Sequence, residues 1–354
     1  MPDGNGRSSR SVTLEDVARL AGVSRATASR VLSGSTRVSP ATRHAVERAA
    51  QELDYALDLS PRPGAPRRNN CVAVVITEPT TKLFGNWFFA PLLTGIYGAL
   101  ADNSLLLVLV TPQSARDMDL AQAYLTGGHV DGVILASLHG DNPLPAKLTE
   151  AGVPTVICSR PGKGLRASFV DCDNRQAGAL ATRHLIDLGR HQIAIISGNL
   201  DMPSAVDRLN GYRDALSEAG IPLDPTMEEV ADYLPDRAHM AMERLLLNHP
   251  KLDGVFAASD VMAEAALRVL HQARKRIPDD VAVVGFDDSP TARICHPALT
   301  SVRQPIEEMG RSTVEVLVRE MGEPDEAPRQ VIFQTELVVR ESTAGTGAVV
   351  GVLD

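Results

Sequence analysis

Between Thr13 and Tyr55 the apolar positions recur with helical spacing, in three short bouts separated by turn residues. The first bout sets Leu14, Val17, Ala18 and Ala21 on one stripe, with Thr13 as its cap, Asp16 three residues on and Gly22 ending it. Two residues later Ser24 caps a second helix that turns Ala28, Val31 and Leu32 inward and stops at Ser33 and Gly34. The third opens on Ser39, with Pro40 at the first helical position, where a missing N–H costs nothing, and carries Ala45, Val46, Ala49, Ala50 and Leu53 inward. A helix, a tight turn and a second helix, closed by a third, make the helix-turn-helix pattern. About 45 residues give such a unit little stability to spare.

From Cys71 the pattern changes to short runs that are apolar on both faces: CVAVVIT, LLLVLV, DGVILA and VPTVIC, then HQIAIISG, DGVFAAS and VAVVGFD. Amphipathic helical stretches separate them, which predicts parallel sheets covered on both sides. Two sets of strands in about 270 residues predict an α/β body of two doubly wound lobes. SFVDCDN, residues 168–174, reads as the first crossing between lobes and LTSVRQP, residues 299–305, as the return.

The expected organisation is a flexible N-terminus over 1–12, the helix-turn-helix over 13–57, a Pro/Arg-rich linker over 58–70, a body over 71–341 and a flexible tail over 342–354. Lobe one takes about 71–170 and 300–330, and lobe two takes 171–299 and 331–341. The tail has no heptad pattern that would zip dimers into tetramers.

Charge sharpens this division. Residues 1–70 hold 11 arginines, no lysine and 7 acidic residues, a net +4, which leaves −13 on the rest of a chain whose total is −9. A basic head on an acidic body implies that the head alone meets a polyanion. The outward residues of the second helix are then the chemistry to watch. In a helix-turn-helix the start of this helix enters the major groove, where Arg pairs with guanine and Ser or Thr reaches phosphates and base edges. Arg25 and Ala26 are the candidates for base reading, with Thr27, Ser29 and Arg30 beside them; taken alone, Arg25 and Arg30 also suit a solvated surface.

No run approaches 18 apolar residues and MPDGNGRSSRS holds no hydrophobic signal core, so a cytoplasmic protein without a membrane partner is expected. Cys71, Cys158, Cys172 and Cys295 are widely spaced and read as buried apolar residues, not as a metal or redox set. The body has no HExxH, no GxSxG and no phosphate-binding loop in PGKGLRAS. Asp287 and Asp288 are adjacent and point different ways, so an enzyme, a cofactor and a metal are not expected.

What the strand ends carry is recognition chemistry: Ser137, Ser259, Asp260 and Asp287, with Trp87, Phe88 and Phe89 read as the start of the helix after the first strand. Carboxylates and a guanidinium beside an aromatic plate suit the edge and face of a hydroxyl-rich ring. Phe89 also suits the core, Asp260 a helix cap and Trp87 a domain joint.

With these pieces placed, the chain resembles the LacI/GalR family of bacterial transcription regulators. The resemblance runs from residue 13 to about 340. It rests on TLEDVARLAGVSRATASRVLSGSTRVSPATRHAVERAAQELDY, and then on DGVILAS, VDCDNRQAGALATRHLIDLGRHQIAIISG, RLNGYRDAL, FAASDVMAEAALRVL, PDDVAVVGFDD and PALTSVRQP. It implies a homodimer on a pseudo-palindromic operator in double-stranded DNA and a periplasmic-binding-protein-like body holding a small effector, expected to be a mono- or disaccharide that releases the DNA. A metabolite such as a purine that tightens DNA binding is the alternative within regulation. A solute-binding protein or a sugar-modifying enzyme is the alternative outside it.

By family position Arg25 and Ala26 read bases, while Ser24, Thr27, Ser29, Arg30 and Thr42 contribute groove and phosphate contacts. Arg208 and Asp287 match effector positions, as do Ser137, Arg160 and Tyr233, and Ser259 and Ser159 stand at effector positions where many relatives carry Asn and Asp. The family's hinge helix, with its wedge leucine, lacks its residues here. Asp58, Pro61 and Gly64 replace the usual Asn, Ala and Leu, and only Arg62 fits. Proline and glycine disfavour that helix by about 3 and about 1 kcal/mol. Residues 60–70 are therefore expected to form an extended arm that sets Arg62, Arg67 and Arg68 along the DNA.

Overall fold

The protein is described by a computed structural model covering residues 13–32, 38–53, 69–162, 164–323, 326–344 and 351–353. The chain divides into two compact units, Met1–Arg67 and Arg68–Asp354.

The first unit holds α1 (Leu14–Leu20), α2 (Arg25–Leu32) and α3 (Pro40–Glu52). Its caps use the expected side chains. Thr13 and Asp16 close a capping box, and the Ser24 and Ser39 hydroxyls each accept an N–H three residues on, at 3.2 Å. Val17, Ala18, Ala28, Val31, Val46, Ala49 and Ala50 form its core. The Leu14 side chain, the expected stop at Ser33 and Gly34, and residues 1–12 and 54–68, Arg62 included, lie outside the described residues.

The second unit begins with β1 (Cys71–Ile76), α4 (Thr80–Gly85), α5 (Phe89–Asp102), β2 (Leu106–Val110), α6 (Ala115–Thr126), β3 (Gly132–Ala136), α7 (Leu144–Glu150), β4 (Thr155–Cys158) and β5 (Ser168–Cys172). There follow α8 (Asn174–Asp187), β6 (Ile193–Ser197), α9 (Pro203–Glu218), β7 (Glu228–Val230), α10 (Pro235–Asn248), β8 (Gly254–Ala257), α11 (Asp260–Gln272), β9 (Ala282–Asp287), α12 (Pro290–Ile294) and β10 (Thr300–Arg303). The chain ends with α13 (Ile306–Gly322), β11 (Gln330–Phe333), β12 (Glu336–Val339), α14 (Glu341–Ala344) and β13 (Gly351–Leu353).

These elements build two sheets, ordered β11-β5-β4-β3-β1-β2 and β13-β12-β10-β9-β8-β6-β7. The first is parallel throughout, and apolar clusters cover both of its faces. α13 returns to this lobe and lies close against α5, where a Cβ on Gly310 would stand 2.4 Å from the Leu92 carbonyl oxygen.

Several expectations change. SFVDC is the fifth strand of lobe one, and the crossing falls after it; TSVR is a strand of lobe two, and the return falls at Gln304 and Pro305. β11 pairs in parallel with β5, so residues 330–333 belong to lobe one and a third crossing precedes β12. The second sheet is mixed: β12 pairs antiparallel with β10, and β13 antiparallel with β12. The expected flexible tail holds α14 and β13, although residues 345–350 and 354 lie outside the described residues. Trp87 and Phe88 precede α5 instead of starting it, because α4 intervenes after β1.

Candidate functional site

On the first unit α2 buries Ala28 and Val31 and turns Arg25, Ala26 and Arg30 to solvent, with Thr27 and Ser29 half-buried at the margin. Ser24 and Thr27 share a hydroxyl hydrogen bond of 2.9 Å at the helix start. Arg25 keeps 58% of its side chain exposed, with Glu15 at 3.7 Å, and Arg30 Nε donates to the Ala26 carbonyl. Thr42 is tied to Ser39 in the first turn of α3. The first turn of α2 holds no acidic residue, so nothing in it repels a phosphate from the positive end of the helix.

In the second unit the carboxyl ends of β1 and β3 face those of β6, β8 and β9 across a cleft of about 80 Å³. In doubly wound folds this is where ligands sit. Arg208 of α9 lies at its floor, 5% exposed. Its guanidinium donates to Asn174 Oδ1 at 2.8 Å and to the Ala258 carbonyl at 2.7 Å, and stands 3.5 Å from the Phe286 ring centroid. Gly178 makes this placement feasible, because any Cβ there would stand 2.3 Å from the Arg208 carbonyl oxygen.

Asp287 ends β9 beside it and accepts from Gln304 Nε2 at 2.7 Å. Burial raises the Asp287 carboxyl above the usual range, against the Arg208 charge and the Gln304 hydrogen bond. Asp171 is raised by burial in the same way, though it accepts the N–H groups of Arg160 and Cys172. Phe88 and Tyr233 supply apolar walls, with Ser159 and Ser259 between them.

Two features mark this as a prepared site. The buried hydroxyls of Tyr233 and Ser259 find no hydrogen-bond partner among the described residues, a costly arrangement that a polar ligand relieves. Ser137, Tyr233 and Asp287 also hold positive φ angles of 55°, 57° and 105°, a strain that tends to collect at functional sites.

The structure therefore brings together Phe88, Ser137, Ser159, Arg208, Tyr233, Ser259 and Asp287. It does not bring in three others. Trp87 stands outside the lining; Arg160 contributes its N–H to Asp171 while its half-exposed side chain pairs with Asp207; Asp260 is buried behind the site, accepting from Ser301 Oγ and the Ser289 N–H. Sequence reasoning passed over Glu78, Lys82, Asp171, Asn174 and Gln304, all of which line the cleft. The last three lie in the segments read as crossings, and a crossing necessarily passes the cleft floor. Phe89 takes both of its readings, 3% exposed in the lobe-one core and in the lining.

No helix of the described residues is long and apolar enough to cross a membrane. All four cysteines are free and buried.

Residues 13–57 match the bacterial regulatory proteins of the lacI family, and residues 182–343 match the periplasmic binding protein-like domain. The HTH-type transcriptional regulator CelR of Thermobifida fusca is 48% identical over 337 residues, 94% of this chain and 98% of that protein. The ribose operon repressor of Haemophilus influenzae is 32% identical over 93% of this chain and 98% of its own length. Among solved structures, a transcriptional regulator CelR in complex with cellobiose superposes with a TM-score of 0.75 at 46% identity, covering 94% of this chain and all of that one. A lac repressor dimer bound to operator and the anti-inducer ONPF gives 0.76 at 25% identity over 94% and 99%. With a helix-turn-helix, a two-lobed body and relatives of this similarity along nearly its whole length, the chain belongs to the LacI family of bacterial transcription regulators, and its function is regulatory, not enzymatic.

Proposed function

We propose that the protein is a cytoplasmic repressor that holds a pseudo-palindromic operator as a homodimer and releases it when a glucose disaccharide, cellobiose, fills the cleft. The observation that carries this reading is the 46% identity to a regulator solved with cellobiose, combined with a cleft that offers charged hydrogen-bonding groups, two orphaned hydroxyls and aromatic walls. Arg25 and Ala26 read base edges, and Ser24, Thr27, Ser29, Arg30, Thr42 and Arg62 hold the backbone. Arg208 and Asp287 bind sugar hydroxyls at their edges, with Phe88 and Tyr233 against the ring. A second copy suits β2, an edge strand whose Leu106 and Leu109 are 70% and 37% exposed.

The test is calorimetric titration of the full chain with cellobiose, glucose, ribose and hypoxanthine, paired with fluorescence anisotropy on an operator recovered by selection from random DNA. Cellobiose is expected to bind in preference to the others and to weaken operator binding about 5- to 150-fold. Tightening of operator binding by any of the four makes the protein a corepressor-type regulator instead, and binding of ribose alone replaces the sugar.

A further inference from the structure

Five charged side chains meet at one rim of the cleft. Glu78, which follows β1, is 3% exposed; its Oε1 accepts from Ser137 Oγ at 2.6 Å and lies 3.0 Å from His139 Nε2, while its Oε2 is 3.1 Å from Lys82 Nζ. Both cations then reach the other lobe. His139 Nδ1 is 2.9 Å from Asp201 Oδ1, and Lys82 Nζ is 3.5 Å from Asp232 Oδ1. The same loops meet through their backbones, the Gly140 N–H donating to the Asp201 carbonyl at 3.2 Å. Arg237 stands 3.3 Å from Asp232, and Asp141 is the other charged residue of the His139 loop.

An imidazole between two carboxylates meets only acceptors, so it satisfies both only when both nitrogens donate, as the imidazolium. The Glu78 hydrogen bond raises the His139 pKa most; burial opposes it, and Asp201 adds to it. Hydrogen bonds from His139 and Ser137, with the Lys82 charge, outweigh burial and hold Glu78 below the usual carboxyl range, so Glu78 stays ionised near neutrality.

We infer that Glu78, Lys82, His139, Asp201 and Asp232 form a clasp that holds the lobes closed and that is complete only when His139 carries a proton. Separating the lobes removes Asp201 from the ring and leaves Glu78, so the closed form binds the proton more tightly. The clasp is therefore full at pH below the open-form value of the ring, and is lost as pH rises through the higher closed-form value. Because Glu78 stays with the ring in the open form, that window lies above the ordinary imidazole value of about 6.5. The proton thereby becomes a second effector, working with any ligand that favours closure. This rests on the cleft being the sugar site.

Two measurements on the full chain test it: cellobiose affinity by calorimetry at pH 6, 7 and 8, and the distance between spin labels placed on the two lobes without ligand. Wild type is compared with His139→Gln and Asp201→Asn, each checked for native circular dichroism. The clasp predicts weaker binding in both variants at pH 6, by about two- to fivefold for so exposed a contact, converging on wild type at pH 8. It also predicts a ligand-free label distance that lengthens from pH 6 to 8 in wild type alone. The causes of the Asp287 shift are burial, Arg208 and Gln304, none of them in the clasp, so its titration is expected to be common to the three proteins and their difference to isolate His139. Parallel pH profiles, or a label distance that ignores both pH and substitution, overturn the clasp. Absence of cellobiose binding in wild type overturns the sugar reading instead, and the label distances then decide the clasp.

Discussion

Arg25 and Arg208 do opposite things with the same side chain. Arg25 stands at the first position of α2, mostly in solvent, with Glu15 3.7 Å away. Arg208 is fixed by a carboxamide, a backbone carbonyl and an aromatic face before any ligand arrives. On the proposed reading the first surface orders its side chains on DNA, which would place its specificity in base edges and its affinity in counterion release. The second has already met its ordering cost in folding, so a small ligand gains from preorganised groups and from hydroxyls that lack partners. A short helix suffices for one, and a full two-lobed body is needed for the other.

The contrast breaks first at Arg208. Replacing it by Met removes the charge that lowers the Asp171 and Asp287 carboxyls and leaves Asn174 Oδ1 and the Ala258 carbonyl without their donor, a loss of about 1–3 kcal/mol. Calorimetry should show effector binding weakened about 100-fold or more, with a lowered melting temperature and operator binding still measurable in free protein. If effector binding survives, the floor of the cleft is elsewhere.

Arg25→Ala should cost about 1–3 kcal/mol at one operator position and leave the melting temperature nearly unchanged. Anisotropy on operators altered one base pair at a time measures this, and an equal loss on every sequence would reduce Arg25 to a phosphate contact. Replacing Arg62, Arg67 and Arg68 together by Ala should flatten the slope of log affinity against log salt by up to about 2.7. An unchanged slope would make that stretch a plain tether.

The smallest effect is expected at Tyr233. Its buried hydroxyl has no partner within hydrogen-bond distance among the described residues, so Tyr233→Phe should stabilise the free protein slightly, on the order of 1 kcal/mol, while weakening the effector by a similar amount. A thermal melt and a titration read the two signs, and a destabilised free protein would mean that the hydroxyl is already satisfied.

The two regions were also unequally legible. The head is encoded by neighbours: Thr13 with Asp16, Ser24 with Thr27 and Ser39 with Thr42 are each three residues apart, and the apolar stripes need no distant partner. Six of the seven strands read from apolar runs in the body are buried on both faces, which makes each run continuous; β2 is an apolar run at an exposed sheet edge. β11 and β12 are not of that kind. QVIF is partly exposed at a sheet edge, and its lobe is set by pairing with β5, about 160 residues away. The cleft is assembled from still more distant pieces. Arg208 and Asp287 came through motifs, whereas Glu78 looks like a solvated loop residue until Ser137, Lys82 and His139 are folded around it.

The chain passes between the lobes three times, and two of those passages carry cleft residues: Asp171 and Asn174 beside the first, Gln304 at the second. Pivot and receptor are thus partly the same atoms. In evolutionary terms this separates the cleft into two inheritances. Residues such as Phe88 and Ser159 lie away from these passages, and a lineage can exchange them to acquire a new ligand while keeping its crossings. Exchanges at Asn174 or Gln304 alter what is bound and how binding is sensed in a single step, so diversification of the ligand is expected to run through the former and to spare the latter.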